Sequence, residues 1–360
     1  MGTIGTIIIA ILVFGFLIFI HEFGHYITAR IFKVTINEFS IGMGPRLISR
    51  VSKKTGIRYS LALLPIGGFV AMAGEDGRDE DPTEEEDPNR FDKKPAWQRF
   101  IITAAGATVN IVAGFLAMLI VTIFTTMPST TVATYEMDDG TLVKDYLGLE
   151  LTTAGDILEG DRIVAIDGKH VAIYDEMTYE IMRRGTEPID VTVIRDGEEI
   201  VLEDIVFPTT ESQGQTFGTV DFRVKHVDKN FFNVIGYTWQ NSWLTMRMVW
   251  ESLFDLITGR YTFAAISGPV GISTALGDAA SNGIIPLLSL VTLISINLGV
   301  MNLLPIPALD GGRLITVTFE MITKKRVPPK IEGIINAVGL VVLLAFSAVV
   351  LVKDVIQLII

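Results

Sequence analysis

IIIAILVFGFLIFIHEFGH, residues 7–25, carries an unbroken apolar stretch straight into two histidines and a glutamate. The apolar block Ile4–Ile20 approaches the roughly 20 residues that a helix needs to cross about 30 Å of hydrocarbon. Three further blocks follow at Ile101–Phe124, Ile284–Leu304 and Ile334–Val352. Four spans are expected, and 49% hydrophobic against 19% charged residues in a chain of 360 suits a membrane protein better than a soluble domain of that size. No Lys or Arg precedes the first block and no small-residue cleavage site follows it, so it reads as a retained span rather than a signal peptide.

Charge orients the spans. Arg30, Lys33, Arg46, Arg50, Lys53, Lys54, Lys93, Lys94 and Arg99 lie between spans one and two, and Lys324, Lys325, Arg326 and Lys330 between spans three and four. By the positive-inside rule both loops are cytoplasmic, which leaves the termini and the acidic segment near Ser129–Asn230 outside. The net charge of −12 argues against nucleic acid as a partner. The stretch Phe231–Ile257 is rich in aromatic residues but carries Asn233, Gln240, Asn241, Ser242, Arg247 and Glu251, and is expected to lie at the interface as an amphipathic helix. Gly268-Pro269-Val270-Gly271 reads as a turn.

Between spans one and two, Arg58–Met72 runs apolar around Pro65-Ile66-Gly67-Gly68, as a β-hairpin does. It is too short to span twice, and at membrane depth its edges need protein or a wet cavity beside them. The Gly74–Pro88 run, dominated by acidic residues, reads as a solvated loop. In the outer segment, Gly160–Lys169 contains a short β run closed by Asp167-Gly168, and Ile189–Arg195 and Glu199–Val206 are joined by Asp196-Gly197. This pattern resembles the core of a PDZ domain.

Histidines four apart on a helix share one face, one turn apart, so His21 and His25 can reach one metal ion while Glu22 reaches the attacking water. A helix-surface His pair is the bland alternative. It is unattractive at the end of an apolar span, where uncompensated polar groups cost several kcal/mol. The chain has no Cys and only four His, and His170 and His226 fall in the outer segment, so a carboxylate must complete the site. Of Asp310, Glu320, Glu332 and Asp354, only Asp310 follows a segment unsuited to regular helix, Asn302-Leu303-Leu304-Pro305-Ile306-Pro307-Ala308-Leu309. Asp310 could also cap a helix beginning near Arg313. Asn110, a polar residue inside the second span, faces either the site or a neighbouring helix.

The HEFGH of the first span, the NLLPIPALDGG of the third and the PDZ-like insert between the second and third together resemble the site-2 protease family of intramembrane zinc metalloproteases. The resemblance covers nearly the whole chain. It implies a multi-pass α-helical membrane protein with four transmembrane helices, a re-entrant β-hairpin and an inserted extracytoplasmic α+β PDZ-like domain. The expected segments are 1–128 (first two spans and hairpin), 129–230 (PDZ-like domain), 231–280 (interfacial helix and connector) and 281–360 (last two spans).

The resemblance further implies Zn2+ held by His21, His25 and Asp310, with Glu22 as catalytic base. Asn297, Asn302 and the hairpin residues Ile66, Gly67, Gly68 and Phe69 would handle substrate. The expected setting is the lipid bilayer of the cell membrane, with the active site toward the cytoplasmic side. The expected activity is peptide-bond hydrolysis in single-pass membrane proteins such as anti-sigma factors, or in signal-peptide remnants. An intramembrane metal transporter and a noncatalytic PDZ membrane scaffold are the other function classes.

Overall fold

A computed structural model describes residues 2–75, 87–212, 215–260 and 266–359. In chain order the first elements are α1 (Thr3–Ile31), β1 (Ile36–Val51), β2 (Arg58–Met72) and α2 (Ala96–Phe124). There follow β3 (Pro128–Thr134), α3 (Val143–Leu147), β4 (Arg162–Ile166), β5 (Lys169–His170), α4 (Tyr174–Arg184), β6 (Ile189–Arg195) and β7 (Glu198–Ile205). The rest are β8 (Thr209–Ser212), β9 (Gln215–Gly218), β10 (Arg223–His226), α5 (Phe231–Ile257), α6 (Pro269–Ser281), α7 (Ile284–Leu303), α8 (Asp310–Thr323) and α9 (Pro329–Ile359). Among the described residues four helices, α1, α2, α7 and α9, are long and apolar enough to cross a membrane. The protein is a membrane protein, and most of the acidic run expected as a solvated loop lies outside the described residues.

Residues 1–117 and 266–360 form one compact unit and residues 118–265 another. In the first, α2 packs backbone to backbone against two neighbours. A Cβ on Gly24 of α1 would lie 2.6 Å from the Ala105 carbonyl oxygen, and one on Gly299 of α7 would lie 2.7 Å from that of Ala107. Small residues at such seams let helices approach where lipid gives no hydrophobic drive for association. Ser295 of α7 adds a hydrogen bond, its Oγ donating to the Asn110 carbonyl at 2.8 Å.

The hairpin expected within Arg58–Met72 has a different construction. Its arms do not pair with each other: Ile36–Ile41 lies between them, meeting Met72 to Gly68 on one side and Arg58 to Leu61, through Glu38–Ile41, on the other. Arg46–Val51 then pairs with the far side of Arg58–Ala62. Inserting a strand satisfies two rows of backbone groups that a hairpin of apolar residues alone would leave partly open. Glu38 stitches three of these runs together, accepting from Arg46 Nε at 2.9 Å and Nη2 at 2.6 Å, and from Ser60 Oγ at 2.5 Å. Burial raises the pKa of this carboxyl, but the Arg46 guanidinium and the Ser60 hydroxyl outweigh it and hold the group below the usual carboxylate range. The sheet packs on the end of α1 through Val34, Ile36, Phe39, Val70 and Met72, with Ile102 of α2.

Gly268-Pro269-Val270-Gly271, expected as a turn, opens helix α6 with Pro at its start. Proline tolerates that position because its missing N–H would have had no partner. The buried Asp354 of α9 accepts from the backbone amides of Gly268 (3.2 Å) and Gly271 (3.0 Å).

The second unit has the sheet order β10-β3-β4-β6-β7 with β5 on β4, and α4 covering a core that includes Ile157, Ile163, Ile166, Met177, Ile181, Val191 and Phe207. Each fully buried Ile or Val there contributes about 1.5–3 kcal/mol. Both Asp-Gly turns have positive φ at both residues, Asp167 and Gly168, Asp196 and Gly197, as tight hairpins require. Of the segment 231–280, expected as an interfacial helix and a connector, α5 belongs to the unit that holds the sheet and α6 to the unit that holds the long apolar helices. The reason is charge. Arg183 of α4 meets Glu251 and Asp255 of α5 at 2.6 Å each, and the fully buried Glu180 meets Arg247 at 2.9 Å and Lys169 at 2.7 Å. A neighbouring face of α5 exposes Phe232, Trp239, Trp243, Trp250 and Phe254.

Candidate metal centre

Nothing in α1 between Thr3 and Ile31 breaks the helix, so His21 and His25 stand one turn apart with their rings 4.9 Å between centroids. Their surroundings aim them. His25 Nδ1 lies 2.8 Å from the Ile102 carbonyl oxygen of α2, which takes its N–H and leaves the Nε2 lone pair facing inward. His21 Nδ1 lies 3.3 Å from the side-chain amide of Asn110, a fully buried residue whose Oδ1 has no partner. A half-turn of that amide puts Oδ1 opposite Nδ1 and gives His21 the same tautomer as His25. Asn110 thus faces the site, the first of its two sequence readings.

Asp310 arrives from α8. After α7 ends at Leu303, the two prolines interrupt regular structure, and the chain folds back so closely that a Cβ on Gly311 would fall on the Leu304 carbonyl. The helix begins at Asp310 itself, with Leu309 as its N-cap, so the expected start near Arg313 and the capping role of Asp310 are both corrected. The first turn starts earlier because Leu309 is already extended and the Gly312 amide bonds back to its carbonyl.

Three donor atoms converge: His21 Nε2 to Asp310 Oδ2 at 3.2 Å, His25 Nε2 to the same oxygen at 3.3 Å, and the two Nε2 atoms at 3.3 Å. Tetrahedral zinc with ligands at about 2.0–2.1 Å separates them by about 3.3–3.4 Å, so the residues fit that ion without rearrangement. Without a cation the cluster is unfavourable. Asp310 Oδ2 is buried with no hydrogen-bond partner, and two inward lone pairs face it. Two imidazolium rings in contact at the end of an apolar span would cost more still. Among the described residues this is the only group of three His, Cys, Asp or Glu with ligand atoms so close together.

Glu22 lies beside the inner arm of the sheet. A Cβ on Gly68 would sit 3.0 Å from Glu22 Cγ. Among the described residues Gly68–Met72 pairs with Ile36–Ile41 on one side only, so it is an edge strand next to Glu22. Gly67 takes a positive φ of 82° there, and Phe69 is 38% exposed. The side chain of Ile66 lies outside the described residues. Asn302 is turned to its own helix, Nδ2 donating to the Leu298 carbonyl at 2.9 Å, and Asn297 is exposed on α7. The other carboxylates near the last spans have other partners: Glu320 binds Arg99 at 2.5 Å, and Glu332 receives Thr316 Oγ at 3.1 Å. His170 and His226 belong to the second unit.

Sequence reasoning missed Gly106. A Cβ there would land on the His25 imidazole and 2.9 Å from His21 Cε1, so the two rings occupy the space a side chain would need. The signal was the run of small residues Ala104-Ala105-Gly106-Ala107 in the second span. Gly106→Ala is expected to weaken zinc binding by about 10–100-fold, the range for disturbed support of a ligand, without loss of membrane insertion. Competition with a chromophoric chelator measures it, and unchanged affinity would refute this reading of the seam.

The sequence profile described as Peptidase family M50 matches residues 9–346. A Fusobacterium nucleatum chain provisionally named a zinc metalloprotease is 34% identical, covering 97% of this chain and 98% of its own length. The zinc metalloprotease RasP of Geobacillus kaustophilus is 30% identical, over 98% of both chains. The regulator of sigma-W protease RasP of Bacillus subtilis is 26% identical, also over 98% of both.

Proposed function

The chain belongs to peptidase family M50, and on that premise we propose an intramembrane zinc metalloprotease that cuts peptide bonds within or near transmembrane segments of single-pass membrane proteins. The observation that carries the reading is the convergence of His21, His25 and Asp310 within 3.2–3.3 Å, with Glu22 next to the first ligand and beside an open strand edge. Two imidazoles and one carboxylate leave a fourth position free, the mark of a catalytic rather than a structural zinc site.

When bound, zinc supplies Lewis-acid polarisation of the scissile carbonyl and makes a water acidic enough to react at neutral pH. Glu22 takes the proton of that water at its carboxylate and hands it to the leaving amide nitrogen. A substrate helix hides its carbonyls in its own hydrogen bonds and must unwind first. The Gly68–Phe69 edge, with Ile66 and Gly67 at its turn, captures the unwound stretch by strand addition, and Asn297 and Asn302 hold freed backbone groups.

By charge distribution the site faces the cytoplasm, and the termini and residues 129–230 lie outside. The two Asp-Gly hairpins and α4 support a PDZ-like identity for that domain, which excludes bulky ectodomains or binds trimmed chain ends weakly. Anti-sigma factors and signal-peptide remnants are the proposed substrate class, in keeping with the sigma-W regulator among the relatives.

Purified protein in detergent tests the reading. It should hold about one zinc per chain and cut a single-span peptide, losing activity to a chelator and regaining it with zinc. Zinc flux into proteoliposomes without cleavage would instead mean a transporter. Neither flux nor cleavage would leave a scaffold.

A further inference from the structure

We propose that the last span, which supplies no metal ligand, positions the third one: Asn336 and Gly339 of α9 hold the Pro307-Ala308 turn, Glu332 holds the start of α8, and together they set the aim of Asp310. The inference rests on the zinc-protease reading above. Residues spaced i, i+4 and i+7 lie on one helical face. Each of the three touches the Asp310 element at a different point.

Glu332 reaches α8 itself, one and two turns beyond Asp310, with a carboxylate oxygen 3.6 Å from Arg313 Nε and 3.1 Å from Thr316 Oγ. Asn336 reaches the turn: its Oδ1 accepts from the Ala308 backbone N–H at 3.3 Å. Ala308 has a φ of 70°, a left-handed conformation that residues with a Cβ rarely adopt. It follows a proline and lies near a membrane span, where a free N–H is costly, so an acceptor fixed on a neighbouring helix decides whether this conformation persists. Gly339 completes the stripe. A Cβ there would meet Pro307, with the Pro307 carbonyl carbon and oxygen 2.8 Å away, so the turn lies directly on the α9 backbone.

One residue, Leu309, separates Ala308 from the ligand-bearing first turn of α8, and Gly312 bonds back to Leu309 across it. A change of backbone conformation at Ala308 therefore redirects Asp310, while His21 and His25, carried on α1, stay in place. Asn336 and Gly339 are positioning residues, and they lie on a face that also bears Glu332, the carboxylate bonded to Thr316 rather than to metal.

The test uses full-length protein in detergent, with zinc release followed against a chromophoric chelator and unfolding followed separately by heat. Asn336→Leu should weaken zinc retention by about 10–100-fold, the scale for outer-shell partners of metal ligands, and lower kcat with KM little changed. Asn336→Asp keeps an acceptor oxygen and should restore retention to within about threefold of the parent, well above the leucine variant. Gly339→Ala should repeat the loss by pushing on Pro307, and it serves if the leucine variant does not fold. Retention equal to the parent in Asn336→Leu and Gly339→Ala, or an aspartate variant as impaired as the leucine one, overturns the proposal. A parent chain that holds no zinc sinks the function reading; a zinc-holding parent with unaffected variants sinks this inference alone.

Discussion

Glu22→Gln leaves the zinc content of the protein unchanged and lowers kcat/KM for a single-span substrate by about 10³-fold, within the range that general acid–base catalysis contributes. Glutamine keeps the size and shape of the side chain, so the packing against Gly68 survives. What it loses is the ability to take a proton. Glu22 is absent from the three-atom cluster, so the metal ligands keep their geometry. Zinc analysis alongside a cleavage assay separates the two effects. A mutant that still cuts at more than about a tenth of the parent rate would remove Glu22 from the role of base.

Asp310→Ala produces the complementary result: zinc is lost, by more than the about 100-fold that outer-shell changes reach, and cleavage goes with it. The two imidazoles remain on α1, but two neutral donors are left without the one anionic oxygen that approaches both at 3.2–3.3 Å. The substitution leaves the helix start intact, because Leu309 is the N-cap and the Asp310 side chain caps nothing. Insertion and heat stability should therefore stay close to the parent. Normal zinc content in this variant would place the third ligand elsewhere and overturn the site.

The two cases differ in how far the sequence alone leads to them. Glu22 needs only the period of a helix: residues four apart share a face, and the next residue lies at the rim of that face. Asp310 is 285 positions beyond His25, and only exclusion leads to it, since cysteine is absent and the other two histidines fall in the acidic segment between the second and third apolar stretches. The exclusion worked because so few residue types bind zinc. The same kind of reasoning failed for Arg58–Met72. A Pro/Gly turn between apolar arms signals a hairpin, yet the arms take Ile36–Ile41 between them. Local pattern states that a strand forms and is silent on which distant strand lies beside it.

The sequence by itself determined the four long apolar helices, the shared face of His21 and His25, and both Asp-Gly hairpins, because each depends on helical period, apolar length or turn chemistry within a few residues. Tertiary structure alone decided that Gly106 makes room for the imidazoles and that Ile102 and Asn110 orient them. It also decided that the edge of Gly68–Met72 faces Glu22, that α5 docks on α4, and that Asn336 and Gly339 brace the turn before Asp310. Those are contacts between segments tens to hundreds of residues apart. A glycine or an asparagine in an apolar span has no periodic signature; its role exists only once a second helix lies against it.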